Sequence, residues 1–275
     1  MRKTMQKVMS FYLFLFLLPI LLIKLPMLAF GVDAPKQVET QPVAYAANVT
    51  KEITKEIPVV EETSPLNVLL LFTHSHEAYH PIVKGVIGVN TNYDPSTNVT
   101  DISDLVTHHL QLNNAQVDVL PYDNMKEMKV TNRPFYQAYA AIRPILQQQI
   151  NAKSYDLVLD IHRDSANHKV TSLKSNNESF ARIALVVGTE HANYKLNEAY
   201  AKALSVEVNR LVPNMSRGVM KKTKDDGNGI YNQDLSPKSI LIELGGIENT
   251  EEEINRTLAV IAKAISIVFE NNTAT

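Results

Sequence analysis

A cluster of histidines with one glutamate follows the first aliphatic run of the chain body. The stretch "LLLFTHSHEAYHP", residues 69–81, contains three of the chain's eight histidines. The chain has no cysteine, so a transition-metal site would have to be built from imidazole and carboxylate. Catalytic zinc takes three such ligands and keeps one position open for water. The spacing of His74 and Glu77 therefore predicts half of a metal site, and the alternative is a polar loop leaving a buried strand.

Two residues far along the chain could complete this chemistry. His162 follows the aliphatic run "YDLVLD", and Glu243 lies inside "KSILIELGG". A carboxylate within a buried strand is costly unless it is paired or used, and burial raises its pKa. A zinc hydrolase also needs a carboxylate that takes a proton from water and passes it to the leaving amine. We therefore expect zinc ligands at His74, Glu77 and His162, with Glu243 as the general base.

Two further residues are candidates for a metal ligand or for a neighbour of one. His76 lies two residues after His74, and side chains two apart on a strand share a face, so both could project toward the site. Asp160 lies two residues before His162 and could bond that imidazole or simply end the strand. The remaining histidines are assigned to the rim, to helix packing or to polar turns.

The elements that must position these groups follow an α/β pattern. Short aliphatic runs between turn residues predict strands at 67–73, 115–121, 155–162, 181–188 and 238–246. Helical spacing of apolar residues predicts helices at 101–113, 134–150, 191–211 and 249–270, with Pro144 kinking or splitting the second. Such alternation predicts a mostly parallel twisted sheet flanked by helices, with sites beyond the carboxyl ends of the strands.

The first 32 residues carry a targeting signal. Basic residues precede a run from Phe11 to Val32 that is apolar except at Lys24. About 20 apolar residues span a bilayer, and a basic head predicts a cytoplasmic N-terminus with the body outside the cell membrane. We expect a single uncleaved membrane anchor at 1–32, and a cleaved signal peptide is the alternative.

The rest of the chain divides by composition. Residues 33–64 are rich in Val, Thr, Glu, Lys and Pro, which predicts an extended spacer. Residues 65–275 are expected to form the catalytic domain. The net charge of −2 argues against a nucleic-acid-binding protein, which would usually carry a basic stripe.

Four motifs in order carry a family resemblance. The segments "THSHEAY", "DIHRDS", "YNQDL" and "LIELGGIEN" resemble the stage II sporulation protein P family, over roughly residues 67–269. The resemblance implies a zinc (Zn2+) N-acetylmuramoyl-L-alanine amidase of the zinc amidase/carboxypeptidase-like fold, which cleaves peptidoglycan and also cuts stem peptides. It also implies stage II sporulation proteins D and M as partners in engulfment.

Carried onto this chain, the family pattern selects the same residues. Its ligands fall on His74, Glu77 and His162, and its base falls on Glu243. One position departs from the pattern, because His76 stands where the family commonly has a small hydroxyl residue. The choice between the two neighbouring histidines as ligand therefore stays open.

The other motif residues have two interpretations each. Arg163 either pairs with Asp164 to brace the site or binds a substrate carboxylate. Asn232, Gln233 and Asp234 either bind muramic-acid or peptide groups or form a structural turn. Two other functions also remain: a catalytically inactive, membrane-tethered wall-binding scaffold, and a zinc carboxypeptidase on stem peptides, in which Arg163 would take the terminal carboxylate.

Overall fold

A six-stranded sheet forms the centre of the computed structural model, which describes residues 64–270. The strands are β1 (Leu66–Leu71), β2 (Ala115–Val119), β3 (Leu157–Asp164), β4 (Ser172–Ser175), β5 (Glu178–Ala181), β6 (Ile183–Gly188), β7 (Ser216–Lys222) and β8 (Ser239–Gly246). The order across the sheet is β2-β1-β3-β8-β6-β7, and β4 and β5 form a separate antiparallel hairpin.

Helices connect these strands. They are α1 (His80–Ile87), α2 (Ser103–Gln111), α3 (Asn124–Val130), α4 (Ala138–Ala152), α5 (His168–Thr171), α6 (Tyr194–Leu211) and α7 (Glu251–Glu270). Helix α7 begins with three consecutive glutamates, whose negative charges interact favourably with the positive end of the helix dipole and so stabilise the helix.

Helices cover the sheet on both faces, as successive residues of β1 show. Val68 and Leu70 belong to the large core that includes α2, α6 and α7. Leu69 and Leu71 point the other way and pack with Ile142 of α4. A strand buried on both faces has no polar side, which explains its continuous aliphatic run.

The directions of the strands make the sheet mostly parallel. Strands β2, β1, β3 and β8 are parallel neighbours, and β6 and β7 are parallel to each other. Strand β6 runs antiparallel to β8. The prediction of a mixed α/β fold with a mostly parallel sheet is confirmed, and the reversal at β6 is a feature that the sequence did not predict.

Two local predictions need correction. Strand β1 ends at Leu71, and residues 73–76 form a turn rather than the end of the strand. Helix α4 is one continuous helix of 15 residues with Pro144 inside it, so of the two predicted alternatives, a kink or a split, the split into two helices is wrong. Proline removes only one N–H donor from the helix. The helix continues because Ile142 and Leu146, on either side of Pro144, still pack in the core.

The predicted anchor and almost all of the predicted spacer lie outside the described residues. Within residues 64–270, none of the helices is both long and apolar enough to cross a membrane. The division of the chain at residues 32 and 64 stays a prediction.

Candidate metal centre

Three neighbouring parallel strands bring the predicted groups together. The segment after β1 carries His74 and Glu77, β3 carries His162, and β8 carries Glu243. In the register between β3 and β8, His162 pairs directly with Glu243. Directly paired residues of adjacent strands place their side chains on the same face, so the imidazole and the carboxyl lie side by side.

His74, Glu77 and His162 form a group that could hold a metal ion. One donor atom from each lies within 4.8 Å of the others. Glu77 lies between the two imidazoles, with Oε1 3.3 Å from His74 Nδ1 and Oε2 3.7 Å from His162 Nδ1. Two imidazoles and one carboxylate suit zinc and leave a position for water. The residues present therefore fit the cofactor that the sequence predicts.

The Glu77 carboxyl is held in its charged form. It is 7% exposed, and the backbone N–H of Arg163 donates a hydrogen bond of 2.8 Å to Oε2. Burial raises the pKa of Glu77, but the hydrogen bond to His74 and the charge of His162 outweigh burial and lower it below its ordinary value. A metal ligand must be deprotonated, so this environment prepares Glu77 for coordination.

Asp160 contacts both the turn that carries His74 and the imidazole of His162. It accepts hydrogen bonds from the backbone N–H and the hydroxyl of Thr73, at 3.0 and 2.7 Å, and so fixes the turn before His74. Its Oδ2 also lies 3.1 Å from His162 Nε2, in an ion-pair contact rather than an aligned hydrogen bond. The other nitrogen, Nδ1, faces Glu77. A carboxylate behind the distal nitrogen of an imidazole is the usual way to orient a metal-binding histidine.

The carboxylates around His162 favour a positive charge at this place. Burial lowers the pKa of His162, but Asp160, Glu77 and Glu243 outweigh burial and raise it to about 10. A metal ion could supply that positive charge in place of the imidazole proton.

The change Asp160→Asn should weaken zinc binding about 10- to 100-fold, because it removes the charge behind His162 and keeps the size of the side chain. Competition with a chromophoric zinc chelator measures the affinity. Asp104→Asn, at an exposed position of α2, is the matched control. An unchanged affinity in folded Asp160→Asn protein would show that Asp160 does not orient the ligand.

Glu243 lies beside the group as a separate carboxyl. Its Oε2 is buried, and no described residue bonds to it. Burial raises the pKa of Glu243 to about 7; Glu77 adds to this effect, and the charge of His162 opposes it. A carboxyl that titrates near neutral pH can both accept and return a proton, which is the property required of a general base.

The titration of Glu243 should respond to zinc. In metal-free protein, we expect a midpoint near pH 7, because burial favours the neutral carboxyl. Zinc held by the neighbouring ligands adds positive charge, which favours the carboxylate, so the midpoint should move to lower pH. NMR of the 13C-labelled glutamate carboxyls, with Glu243→Gln to assign the signal, measures both midpoints. A midpoint that rises with zinc would contradict this placement.

The glycines after Glu243 allow a close approach of the backbone to its neighbours. Gly245 has φ 62°, and a Cβ there would lie 2.7 Å from the Asn249 side chain. A Cβ at Gly246 would lie 2.2 Å from the backbone oxygen of Ala166. A larger residue at Gly245 would clash with the segment after β8, and one at Gly246 would clash with the backbone after β3, so both positions need glycine.

The four groups line a cavity of about 760 Å³. This volume is within the range of small-molecule sites, which runs from about 300 to 1,000 Å³. Aromatic side chains form much of the lining: Tyr93, Phe135, Tyr136, Tyr139 and Tyr231. Tyr136 at the mouth is 78% exposed, whereas Tyr139 is 7% exposed.

Tyr139 is a residue of the cavity that sequence reasoning missed. Its ring centroid lies 5.5 Å from that of His74 and 6.2 Å from that of His162. Burial, followed by the charges of Asp160 and Glu243, raises the pKa of Tyr139 well above its ordinary value. The sequence places it in a helical pattern with no polar motif, so no signal indicated a role.

His76 lies outside the metal-binding group. Its Nε2 is 2.9 Å from an oxygen of Asp123, at the start of α3. The expectation that His76 and His74 share a face fails because residues 73–76 form a turn, in which the alternation of a strand does not hold. The structure therefore brings His74, rather than His76, next to Glu77 and His162.

The predicted charge pair between Arg163 and Asp164 is wrong. The Asp164 carboxylate pairs with Arg217 of β7. The terminal nitrogens of Arg163 donate instead to the backbone oxygens of Asp164 and Asn92, at 3.2 and 2.8 Å. Both residues belong to β3, whose register with β8 shifts between His162 and Asp164. Arg163 still lines the cavity.

The three polar residues of "YNQDL" bond within the protein. Asn232 donates to the Tyr139 backbone oxygen at 2.8 Å and accepts from Arg143 at 3.0 Å. Asp234 accepts two hydrogen bonds from Arg143, at 2.8 and 2.6 Å. Gln233 bonds two backbone groups of β6. Of their two interpretations, the structural turn describes these contacts, and the substrate contact predicted for them has no support here.

Comparison with known proteins identifies relatives of this chain. The family model described as Stage II sporulation protein P matches residues 32–266. Stage II sporulation protein P of Bacillus subtilis (strain 168) is 28% identical over 241 residues, which cover 85% of this chain and 60% of that protein. The chain thus spans less than two thirds of this curated relative.

Similar solved structures include two amidases. The CwlD amidase from Clostridioides difficile, in complex with the GerS lipoprotein, gives a TM-score of 0.47 at 18% identity, covering 76% of this chain and 98% of that one. An N-acetylmuramoyl-L-alanine amidase from Clostridium difficile 630 gives 0.44 at 16% identity, covering 78% and 99%. A metallo-carboxypeptidase from Burkholderia cenocepacia gives 0.42 at 11% identity, covering 78% and 60%.

Proposed function

Because this chain belongs to the Stage II sporulation protein P family, we propose that it is a zinc-dependent peptidoglycan hydrolase. Its proposed reaction cleaves the amide between N-acetylmuramic acid and L-alanine, in wall remodelling during sporulation and engulfment. The observation that carries the proposal is the placement of His74, Glu77 and His162 beside Glu243 in one cavity.

Different residues of the chain would have different roles in amide hydrolysis. Zinc, held by His74, Glu77 and His162, would supply a Lewis acid and a more acidic water. Glu243 accepts the proton of the attacking water and returns it to the nitrogen of the leaving amine when the C–N bond breaks. Its position next to His162 in the sheet register puts the proton acceptor beside the ligands rather than among them.

The aromatic lining of the cavity suits a substrate that contains a sugar ring. Tyr93, Phe135 and Tyr136 are 49%, 46% and 78% exposed, and their aromatic faces can pack against the apolar face of a sugar ring. A peptide amide is chemically close to the proposed target bond, so the proposal includes endopeptidase activity on cross-linked stem peptides.

The proposed location is the outer side of the cell membrane. It is supported by the basic head and apolar run of residues 1–32, which favour a single-pass anchor with the catalytic domain outside. Stage II sporulation proteins D and M are proposed as partners on the family resemblance.

A zinc carboxypeptidase is the second candidate, and one observation favours it. Arg163 lines the cavity and is 3% exposed, and an arginine there could bind a terminal carboxylate. Its two terminal nitrogens already donate to backbone oxygens, however, which leaves fewer donors for a ligand. We therefore rank the amidase first.

Digestion of purified peptidoglycan by the zinc-loaded protein, with and without chelator, separates the candidates. Mass spectrometry should find muramic acid with free lactyl ends and stem peptides with free L-alanine amines. Loss of only the terminal residue of the stem would indicate the carboxypeptidase. Binding to the wall without any chelator-sensitive product would indicate the inactive scaffold and overturn the proposed enzyme.

A further inference from the structure

We propose that Tyr139 is a further catalytic residue: its hydroxyl donates a hydrogen bond to the substrate carbonyl oxygen as that oxygen becomes negatively charged. This inference rests on the proposed amide hydrolysis. We also infer that the segment 231–234 acts on Tyr139 as a positioning clamp.

The position of the Tyr139 ring is the first support. The ring is stacked on His162 at an interplanar angle of 23° and lies edge-on to His74 at 62°. It therefore contacts both imidazoles of the metal-binding group while lining the same cavity as Glu243. A substrate carbonyl bound beside those ligands would therefore lie near this side chain.

The hydrogen bonding of Tyr139 is the second support. Buried tyrosine hydroxyls usually have a partner, and Tyr79, at 2% exposure, donates to the Leu244 backbone oxygen at 2.8 Å. Among the described residues, none forms a hydrogen bond with the Tyr139 hydroxyl. A polar group that faces a cavity without a protein partner is suited to bond what enters the cavity.

The neutral phenol of Tyr139 is suited to stabilise a negative charge on the carbonyl oxygen. The carboxylates of Asp160, Glu243 and Glu77 lie close enough to act on Tyr139, and a carboxylate repels a developing negative charge. A neutral phenol is a donor at neutral pH and brings no negative charge of its own. Preorganised donors of this kind stabilise the charge on the carbonyl oxygen in acyl-transfer reactions.

Two residues of the segment 231–234, Tyr231 and Asn232, contact Tyr139. Asn232 holds the backbone oxygen of Tyr139, and Arg143, one helical turn further along α4, ties Asn232 to Asp234. The Tyr231 ring packs edge-on against the Tyr139 ring, with centroids 5.0 Å apart.

The backbone of the clamp is itself unusual. Tyr231 and Asn232 have φ values of 56° and 55°, in the left-handed region. This region is disfavoured for a bulky residue such as tyrosine, and such conformations persist where the surrounding contacts enforce them. The contacts around these two residues include the bonds of Asn232 to Tyr139 and Arg143, and the bond from the Tyr231 backbone N–H to the Asn228 side chain at 2.6 Å.

In the proposed hydrolysis, Tyr139 acts on the carbonyl oxygen and Glu243 acts on the water proton. The water oxygen bonds to the carbonyl carbon, and the π electron pair of the carbonyl moves to its oxygen. Tyr139 donates a hydrogen bond to this oxygen and keeps its proton. The water proton goes to Glu243, and then to the amine nitrogen when the C–N bond breaks and the carbonyl re-forms.

The test is Tyr139→Phe in the zinc-loaded full chain, because phenylalanine keeps the ring and removes only the hydroxyl. We expect kcat to fall about 10²- to 10³-fold, with KM, zinc content and unfolding temperature unchanged. Binding of a phosphinate analogue of the tetrahedral state should weaken by a similar factor. Tyr200→Phe, whose ring stacks on Phe269 at 5.1 Å, is the matched control.

The clamp is tested by Asn232→Ala. It should lower kcat less than Tyr139→Phe does, and the double variant should be no slower than Tyr139→Phe alone, because both changes act on one hydroxyl. Additive losses in the double variant would overturn the clamp.

The outcomes separate this inference from the proposed function. Tyr139→Phe with the kcat of the wild type would overturn the catalytic role and leave the amidase intact. Loss of zinc or of folding in Tyr139→Phe would assign the residue a structural role and would also overturn the inference. A wild-type chain without zinc-dependent hydrolysis would overturn both.

Discussion

Replacing Glu243 by glutamine should reduce amide hydrolysis about 10²- to 10⁴-fold while zinc still binds. Glutamine has nearly the size and shape of glutamate, but its amide cannot accept the proton of the attacking water. Zinc binding should survive because Glu243 is not a member of the group formed by His74, Glu77 and His162. Initial rates on purified muropeptides and bound zinc per chain are the two measurements.

The matched control is Glu127→Gln, at an exposed position of α3 on the chain surface. It makes the same chemical change outside the cavity and should retain the full rate. Hydrolysis by Glu243→Gln at the rate of the wild type would remove Glu243 from the role of general base. Loss of zinc from the same variant would instead make this residue part of the ligand set.

Replacing His162 by alanine should abolish both zinc binding and hydrolysis. The side chain is 2% exposed, and its removal leaves only one imidazole beside Glu77. A ligand that binds only the folded protein stabilises it, by about 2.7 kcal/mol when its concentration is 100 times its dissociation constant. The unfolding temperature of the wild type should therefore rise with added zinc, and that of His162→Ala should not.

His108→Ala is the control for this second experiment, because His108 is exposed on α2. It should keep one zinc per chain and the thermal shift. A zinc-dependent shift that persists in His162→Ala would mean that the metal binds elsewhere in the chain.

The positions of the four central groups could be predicted because each follows or interrupts a buried aliphatic run. Strands β1, β3 and β8 are buried on both faces and read as continuous apolar segments, so His162 and Glu243 stand out within them. The carboxyl ends of parallel strands lie at one edge of a sheet, which brings residues distant in sequence together.

The rest of the site could not be predicted, for reasons that are also physical. The direction of β6 has no sequence signal, because a buried run looks the same in a parallel and an antiparallel pair. Strand β7, "SRGVMKK", is at the sheet edge and only partly buried, so it lacks an aliphatic run. Tyr139 enters the cavity through the position of α4, which depends on tertiary contacts such as those of Arg143.

The failed expectations for His76 and Asp164 have one cause in common. Both rested on sequence distance, which decides neither where a strand ends nor which long side chain reaches a carboxylate. Asp123 and Arg217 lie 47 and 53 positions away and provide the actual partners.

The most direct test of the account is titration of the metal-free protein with zinc, with hydrolysis of purified peptidoglycan measured at each point. Hydrolysis should rise linearly and reach a plateau at one zinc per chain, and Glu243→Gln should bind the same single zinc without hydrolysis. Full hydrolysis before any zinc is added, or no hydrolysis at one bound zinc per chain, would contradict a metal centre built from His74, Glu77 and His162.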